Sequence, residues 1–136
     1  MSRYAEHTRV PVGQTRNEIE RTLQRYGADQ FLYGIETGRA VVGFRMKGRQ
    51  VKISIALPKG DSDRDQKEAR RLWRSLAMII KAKLESVASG VSIFDDEFMA
   101  FIVLPDGQTV GEFMRPQIHQ AYLNRAMPKL LPGPGN

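Results

Sequence analysis

The chain has 136 residues, no cysteine and a formal net charge of +6. This length suits one domain that buries its own hydrophobic core. The lack of cysteine excludes disulfides, a thiolate nucleophile and cysteine zinc sites. Residues 1–30 contain no apolar run of the secretory type, and the longest apolar stretches, such as 98–104, fall far short of the ~20 residues that span a bilayer. We therefore expect a cytoplasmic protein with no membrane partner.

The positive charge is concentrated in the middle of the chain. Residues 30–57 contain five Lys or Arg against one acid, and residues 58–90 contain eight against five. Residues 1–29 are nearly balanced, with five against four, and residues 91–136 are acidic, with three against five. Because a localised basic field attracts polyanions, nucleic acid is a candidate partner.

The first predicted element is a short helix that follows an irregular arm, residues 1–14. Thr15 and Glu18 have the spacing of a capping box, which would place the helix start at Thr15. One face of the helix carries the apolar residues Ile19, Leu23 and Tyr26. Gly27 then supplies the left-handed residue that ends it.

Three strands are predicted next, at Gln30 to Glu36, Arg39 to Met46 and Gln50 to Leu57. The second strand alternates, with one face made of Ala40, Val42, Phe44 and Met46. The connections at Thr37-Gly38 and Lys47-Gly48 are short, and connections this short join antiparallel neighbours. The three strands should therefore form a meander.

A long helix is predicted from about Arg64 to Ser89, and Gly90 ends it. Its apolar stripe, wide enough to cover three strands, consists of Ala69, Leu72, Trp73, Leu76, Ile80, Leu84 and Val87. A basic arc opposite this stripe consists of Arg64, Lys67, Arg70, Arg71, Arg74 and Lys81. The helix should be apolar towards the sheet and basic towards solvent.

The last third contains two further helices. The spacing of Phe94, Phe98 and Phe101 predicts a short one, and residues 104–107 read as a turn. A second capping box, Thr109 to Glu112, opens another helix that should bend at Pro116. Residues 127–136 hold three prolines and two glycines, which predicts a loose tail. The result is an α+β fold with one domain over residues 15–126.

Candidate catalytic and metal sites find little support. The acids of residues 61–65 imitate a calcium loop, but Gln66 and Leu72 stand where the loop needs glycine and glutamate. Asp95-Asp96-Glu97 are adjacent at a helix start, where acids complement the helix dipole and point apart. His7 and His119 have no partner in a recognisable arrangement. We expect no enzymatic activity, no metal and no cofactor.

The basic residues are the one constellation that predicts a function. On the second hairpin they are Arg39, Arg45, Lys47, Arg49 and Lys52, and on the long helix Arg70, Arg71 and Arg74. Several cations along a track would neutralise phosphates and release counterions, and Tyr33 and Phe31 could stack on bases of a single strand. The alternative is a solvated surface that only keeps the protein soluble. The functional prediction requires the hairpin and helix cations to converge on one exposed track.

The element order over residues 15–90 resembles that of double-stranded-RNA-binding domains and of the core of phage single-strand annealing proteins. Residues 65–68, Asp-Gln-Lys-Glu, stand where the former have a lysine-rich motif, which disfavours them. Residues 20–29 and 94–112 are similar to small uncharacterised phage and metagenomic proteins. The annealing resemblance implies single-stranded DNA binding and strand annealing in recombination by a homo-oligomer, such as a ring, in the bacterial host. The alternative is a non-enzymatic phage protein-interaction module, a host-factor inhibitor or a structural accessory.

Overall fold

The computed structural model describes residues 10–36 and 38–127, and it has an α+β architecture with the predicted element order. The helices are α1 (Val12–Arg25), α2 (Asp63–Ala88), α3 (Phe94–Glu97) and α4 (Val110–Asn124), with a 3₁₀ turn at Met99–Phe101. The strands are β1 (Gln30–Glu36), β2 (Arg39–Met46) and β3 (Arg49–Ala56). Most of the predicted arm and tail lies outside the described residues. No described helix is long and apolar enough to cross a membrane.

The sheet is the predicted antiparallel meander, in the order β1-β2-β3. Val42 of β2 lies opposite Tyr33 of β1 and Ile53 of β3. Because side chains alternate along a strand, these three residues share one face, which we call the inner face. The other face, which includes Gly43 and Lys52, is the outer face.

The hydrophobic core lies between the inner face and helices α1 and α2. Ile19 and Leu23 of α1 and Trp73 of α2 are almost completely buried with the apolar side chains of the inner face. The ring of Trp73 lies 5.4 Å from that of Tyr33, which places α2 directly on the sheet. Burying side chains of this size stabilises the fold by ~1.5–3 kcal/mol each.

The C-terminal third packs onto the same core. The ring of Phe98 is fully buried and meets Phe44 of the inner face edge-on, with centroids 5.7 Å apart. Beyond it, the backbone N–H of Val103 donates to the carbonyl of Gln50 at 2.8 Å, and Ile102 bridges Val51. The segment 102–103 therefore lies along β3.

The start of α1 differs from the prediction. The helix begins at Val12 with Pro11 at its N-cap, so the last residues of the predicted arm are helical. Thr15 is completely buried inside the helix and does not cap it. The capping-box interpretation was wrong because Val12 packs against the core, and this contact favours one more helical turn.

The other predicted helix start is confirmed. Thr109 accepts from the N–H of Glu112 at 3.1 Å, and the Glu112 carboxylate accepts from the N–H of Thr109 at 2.9 Å. Ser62 caps α2 through the N–H of Asp65. Pro116 lies inside α4.

Candidate nucleic-acid interface

The outer face of the sheet is the surface that helices α1 and α2 leave uncovered. Leu32, Gln50 and Ser54 are exposed there. Strand alternation explains this arrangement, since the apolar residues of β2 and β3 turn inward and their neighbours turn outward. The outer face is therefore available to a ligand.

A hollow of about 380 Å³ lies in the outer face. Its lining includes Leu32, Gly34, Val41, Gly43 and Lys52, together with Gln30, Gln50 and Val103. A Cβ at Gly43 would stand 3.5 Å from the Cβ of Leu32 and 3.5 Å from the carbonyl of Val51, so a methyl group would fit there at ordinary contact distance. The volume is within the ~300–1,000 Å³ range of small-molecule pockets. We call it the outer hollow.

Three of the predicted cations, Arg39, Arg45 and Lys52, lie on the outer face, and Lys52 lines the hollow. Arg39 donates to the hydroxyl of Ser54 at 3.1 Å. The Lys52 ammonium is 3.9 Å from Glu112. Hydrogen bonds with the backbone and the side chain of Thr109 hold the pKa of Glu112 below its usual value. The positive charge of Lys52 lowers this pKa by a smaller amount. Lys52 is thus only loosely engaged.

Arg45 is the most firmly held of these three cations. Its guanidinium donates two hydrogen bonds to the Asp29 carboxylate, at 2.9 and 2.8 Å. These bonds lower the pKa of Asp29 and raise that of Arg45. Both side chains remain well exposed, and solvent screening makes exposed pairs of this kind weak. A phosphate could therefore replace Asp29.

The two remaining hairpin cations lie off the outer face. Lys47 occupies the β2–β3 turn with a φ of 52°, followed by Gly48 at 73°, which is the pattern of a type I′ hairpin turn. Arg49 is opposite Met46, on the inner side, and donates to both carboxylate oxygens of Asp95 at 3.2 Å. Lys47 can reach a ligand at the end of the sheet, whereas Arg49 faces the C-terminal third.

The helix arginines do not converge with the hairpin cations. Arg70, Arg71 and Arg74 belong to α2, which packs on the inner face, so the whole sheet separates them from the outer face. Arg71 is paired with Glu68, and Arg74 is paired with Glu18 of α1. The prediction that the hairpin and helix cations form a common track was therefore wrong. Because α2 packs its apolar stripe on the inner face, its basic side points away from the sheet, and the sheet lies between that side and the outer face.

Tyr33 and Phe31 also lie on the inner face. The Tyr33 ring stands between Trp73 and the guanidinium of Arg16, whose Cζ is 4.1 Å from the ring centroid. Neither aromatic side chain can therefore stack on a base at the outer face. The apolar side chain of β1 that does lie on the outer face is Leu32. The alternation of side chains along β1 would have been enough to predict this from the sequence.

The acidic residues of the C-terminal third diverge. Asp95 binds Arg49, whereas Glu97 faces Lys83. Hydrogen bonds from Ser92, Lys83 and Ser86 hold the pKa of Glu97 below its usual value. Within residues 10–36 and 38–127 no group of three or more His, Asp or Glu side chains could hold a metal. His119 is exposed on α4, and His7 lies outside the described residues.

No protein-family model, curated protein or solved structure matches the chain. The resemblance to phage annealing proteins therefore stays a prediction, and any function has to be inferred from the residues themselves.

Proposed function

We propose that the chain binds single-stranded DNA through the outer face of its sheet and promotes annealing of complementary strands. The observation that carries this proposal is the outer hollow, because it combines an apolar lining with the cation Lys52, and the same face of the sheet also carries Arg39 and Arg45. Single-strand binding needs these two features, a place for bases and charges for phosphates.

The outer face offers separate positions for bases and backbone. Leu32 and Val41 provide apolar contact for a base in the outer hollow, and the amides of Gln30 and Gln50 can bond base edges. Arg39 and Arg45 stand six residues apart on β2, which corresponds to ~20 Å of strand and thus to several phosphates. A base can enter the hollow only when it is unpaired, so the surface favours single strands over duplex.

The rest of the proposed role follows from the resemblance in element order. Annealing requires no cofactor and no covalent chemistry, so the proposal includes neither. A phage origin, an oligomer such as a ring and a location in the cytoplasm of the host cell belong to the same proposal.

The test is a titration of a labelled single-stranded oligonucleotide at several salt concentrations. The double variant Arg39→Ala/Lys52→Ala removes two outer-face cations, and Arg64→Ala/Lys67→Ala removes two exposed cations of α2 as the matched control. We expect at least tenfold weaker binding for the first variant and a change below about twofold for the control. Losing two phosphate contacts should reduce the salt-dependence slope by ~1.4. Equal weakening of both variants, or free oligonucleotide at low salt and micromolar wild-type protein, would overturn the proposal.

A protein-interaction module is the second candidate function. Its support is a set of exposed apolar residues on α4, namely Ile118, Tyr122 and Leu123. Contiguous exposed apolar residues often mark protein interfaces. If the oligonucleotide stays free in the titration above, this candidate replaces the first.

A further inference from the structure

We propose that β1 pairs with β1 of a second copy of this chain, forming a two-fold dimer with a continuous six-stranded sheet. Strand β1 is an edge strand of the sheet. Within residues 10–36 and 38–127, no segment pairs with the edge of β1 that faces away from β2. An open edge presents unpaired backbone N–H and C=O groups, which are a template for another strand. The proposal does not depend on nucleic-acid binding.

The residues of β1 lack the usual protections of an edge strand. Proteins commonly protect such edges with lysine, proline or a bulge. The sequence Gln-Phe-Leu-Tyr-Gly-Ile-Glu contains no lysine, arginine or proline, and its pairing with β2 runs without interruption over all seven residues. Leu32 is 69% exposed on the outer face and Ile35 is 60% exposed on the inner face. Both faces of the strand therefore carry apolar side chains that a neighbouring strand would cover.

The sequence of β1 is self-complementary in one antiparallel register. A two-fold axis perpendicular to the sheet keeps inner face beside inner face, and an axis through Tyr33, the middle residue, pairs all seven positions. The large side chain of Leu32 then lies opposite Gly34 of the second copy, and Phe31 lies opposite Ile35. The only charged residue, Glu36, meets the amide of Gln30, which can donate to it.

Other registers fit less well. A shift by one residue would set the inner face of one copy beside the outer face of the other, which two-fold symmetry does not allow for antiparallel strands. A shift by two residues in one direction places Leu32 opposite the Glu36 carboxylate. In the other direction it leaves Ile35 and Glu36 without partners inside β1. The register centred on Tyr33 is thus the one that the strand specifies, and it favours a second copy over an unrelated strand.

Disulfide trapping without nucleic acid tests this register, since the chain has no cysteine of its own. In the double variant Gln30→Cys/Glu36→Cys, the cysteine at position 30 of one copy would lie opposite the cysteine at position 36 of the other, at a Cα separation of ~4.5–5.5 Å, within disulfide range. We expect a covalent dimer on mild oxidation. Each single variant would hold its two cysteines ~20 Å apart and should stay monomeric on a denaturing gel. Equal cross-linking of single and double variants would overturn the register.

Sedimentation over a range of protein concentrations tests the dimer itself. We expect wild-type protein to shift from monomer to dimer as concentration rises. Ile35→Lys puts a charge on the edge without touching the outer hollow and should leave the protein monomeric. Ile79→Lys makes the same change at a similarly exposed position of α2 and should leave the dimer intact. A wild-type monomer at every concentration, or equal loss in both variants, would overturn the proposal, whatever the result of the oligonucleotide titration.

Discussion

Arg74 of α2 donates two hydrogen bonds to the carboxylate of Glu18 on α1, one of them 2.9 Å long. The Arg74 side chain is only 18% exposed, so this ion pair is part of the contact between the two helices. In the sequence, Arg74 looked like a phosphate ligand and Glu18 like half of a capping box. The structure gives each residue the other as its partner.

Glu18→Gln should reduce the free energy of unfolding at neutral pH by ~1 kcal/mol, because the substitution removes the charge that Arg74 binds. The hydrogen bonds from Arg74 lower the pKa of Glu18 below the ordinary 4.5. A carboxyl group with a lowered folded-state pKa stabilises the protein above its unfolded pKa, and this contribution is lost as pH falls through the folded value. Urea unfolding should therefore show the difference between the two proteins shrinking as the pH falls below 4.5. A difference that is constant over this range would contradict the assignment.

Thr15→Val should stabilise the protein by ~1 kcal/mol. The Thr15 hydroxyl is buried without a hydrogen-bond partner, and valine keeps the shape of the side chain while removing the polar atom. If Thr15 capped the helix, the same substitution would instead cost ~1 kcal/mol. The direction of the shift in urea midpoint distinguishes the two interpretations, with Thr15→Ser as a control that keeps the hydroxyl.

Thr109→Ala should destabilise the protein by ~1 kcal/mol, since it removes the acceptor that Glu112 uses at the start of α4. Thr109→Ser keeps the hydroxyl and should retain most of the stability. Chemical unfolding of the three proteins at neutral pH is the measurement. Equal losses for alanine and serine would show that the cap contributes little.

Phe98→Ala should cost ~3–5 kcal/mol, because the ring is fully buried between Phe44 and Phe94 and its removal leaves a cavity. Met99→Ala, one residue away and about half exposed, should change the unfolding free energy by less than ~0.5 kcal/mol. Similar effects of both substitutions in urea unfolding would show that the C-terminal third is not joined to the core.

Gly43→Ala should leave the fold intact and weaken binding of a single-stranded oligonucleotide. The added Cβ meets its neighbours at ordinary contact distance, and replacing glycine within a strand stabilises by ~0.5–1 kcal/mol. The same methyl group reduces the outer hollow. Gly13→Ala, in α1 and away from the outer face, is the control for stability. Unchanged binding by Gly43→Ala would contradict the role of the hollow.

The sequence predicts the elements of this fold well because its periodicities are local. The alternation of β2 and the apolar stripe of the long helix decide which faces are buried, and the helix and strand boundaries follow within one residue from Gln30 to Ala88. The start of α1 was missed because a contact of Val12 with the core extends the helix upstream of its capping signal.

The candidate site was harder to predict because its electrostatics depend on distant residues. Glu18 and Arg74 are 56 positions apart, and Arg49 and Asp95 are 46 positions apart. A count of charges along the chain cannot show such pairs. The separation of α2 from the outer face, by contrast, follows from the alternation of the strands together with the stripe of the helix.

The attachment of residues 102–103 to β3 has a consequence for assembly. A sheet with two open borders can add copies indefinitely and grow into a fibril. Here the segment 102–103 occupies part of the border at Gln50 and Val51, so an incoming strand cannot align with the full length of β3. The proposed association through β1 would therefore stop at two molecules along the sheet, because pairing would use the one fully accessible border that the described part of each molecule offers.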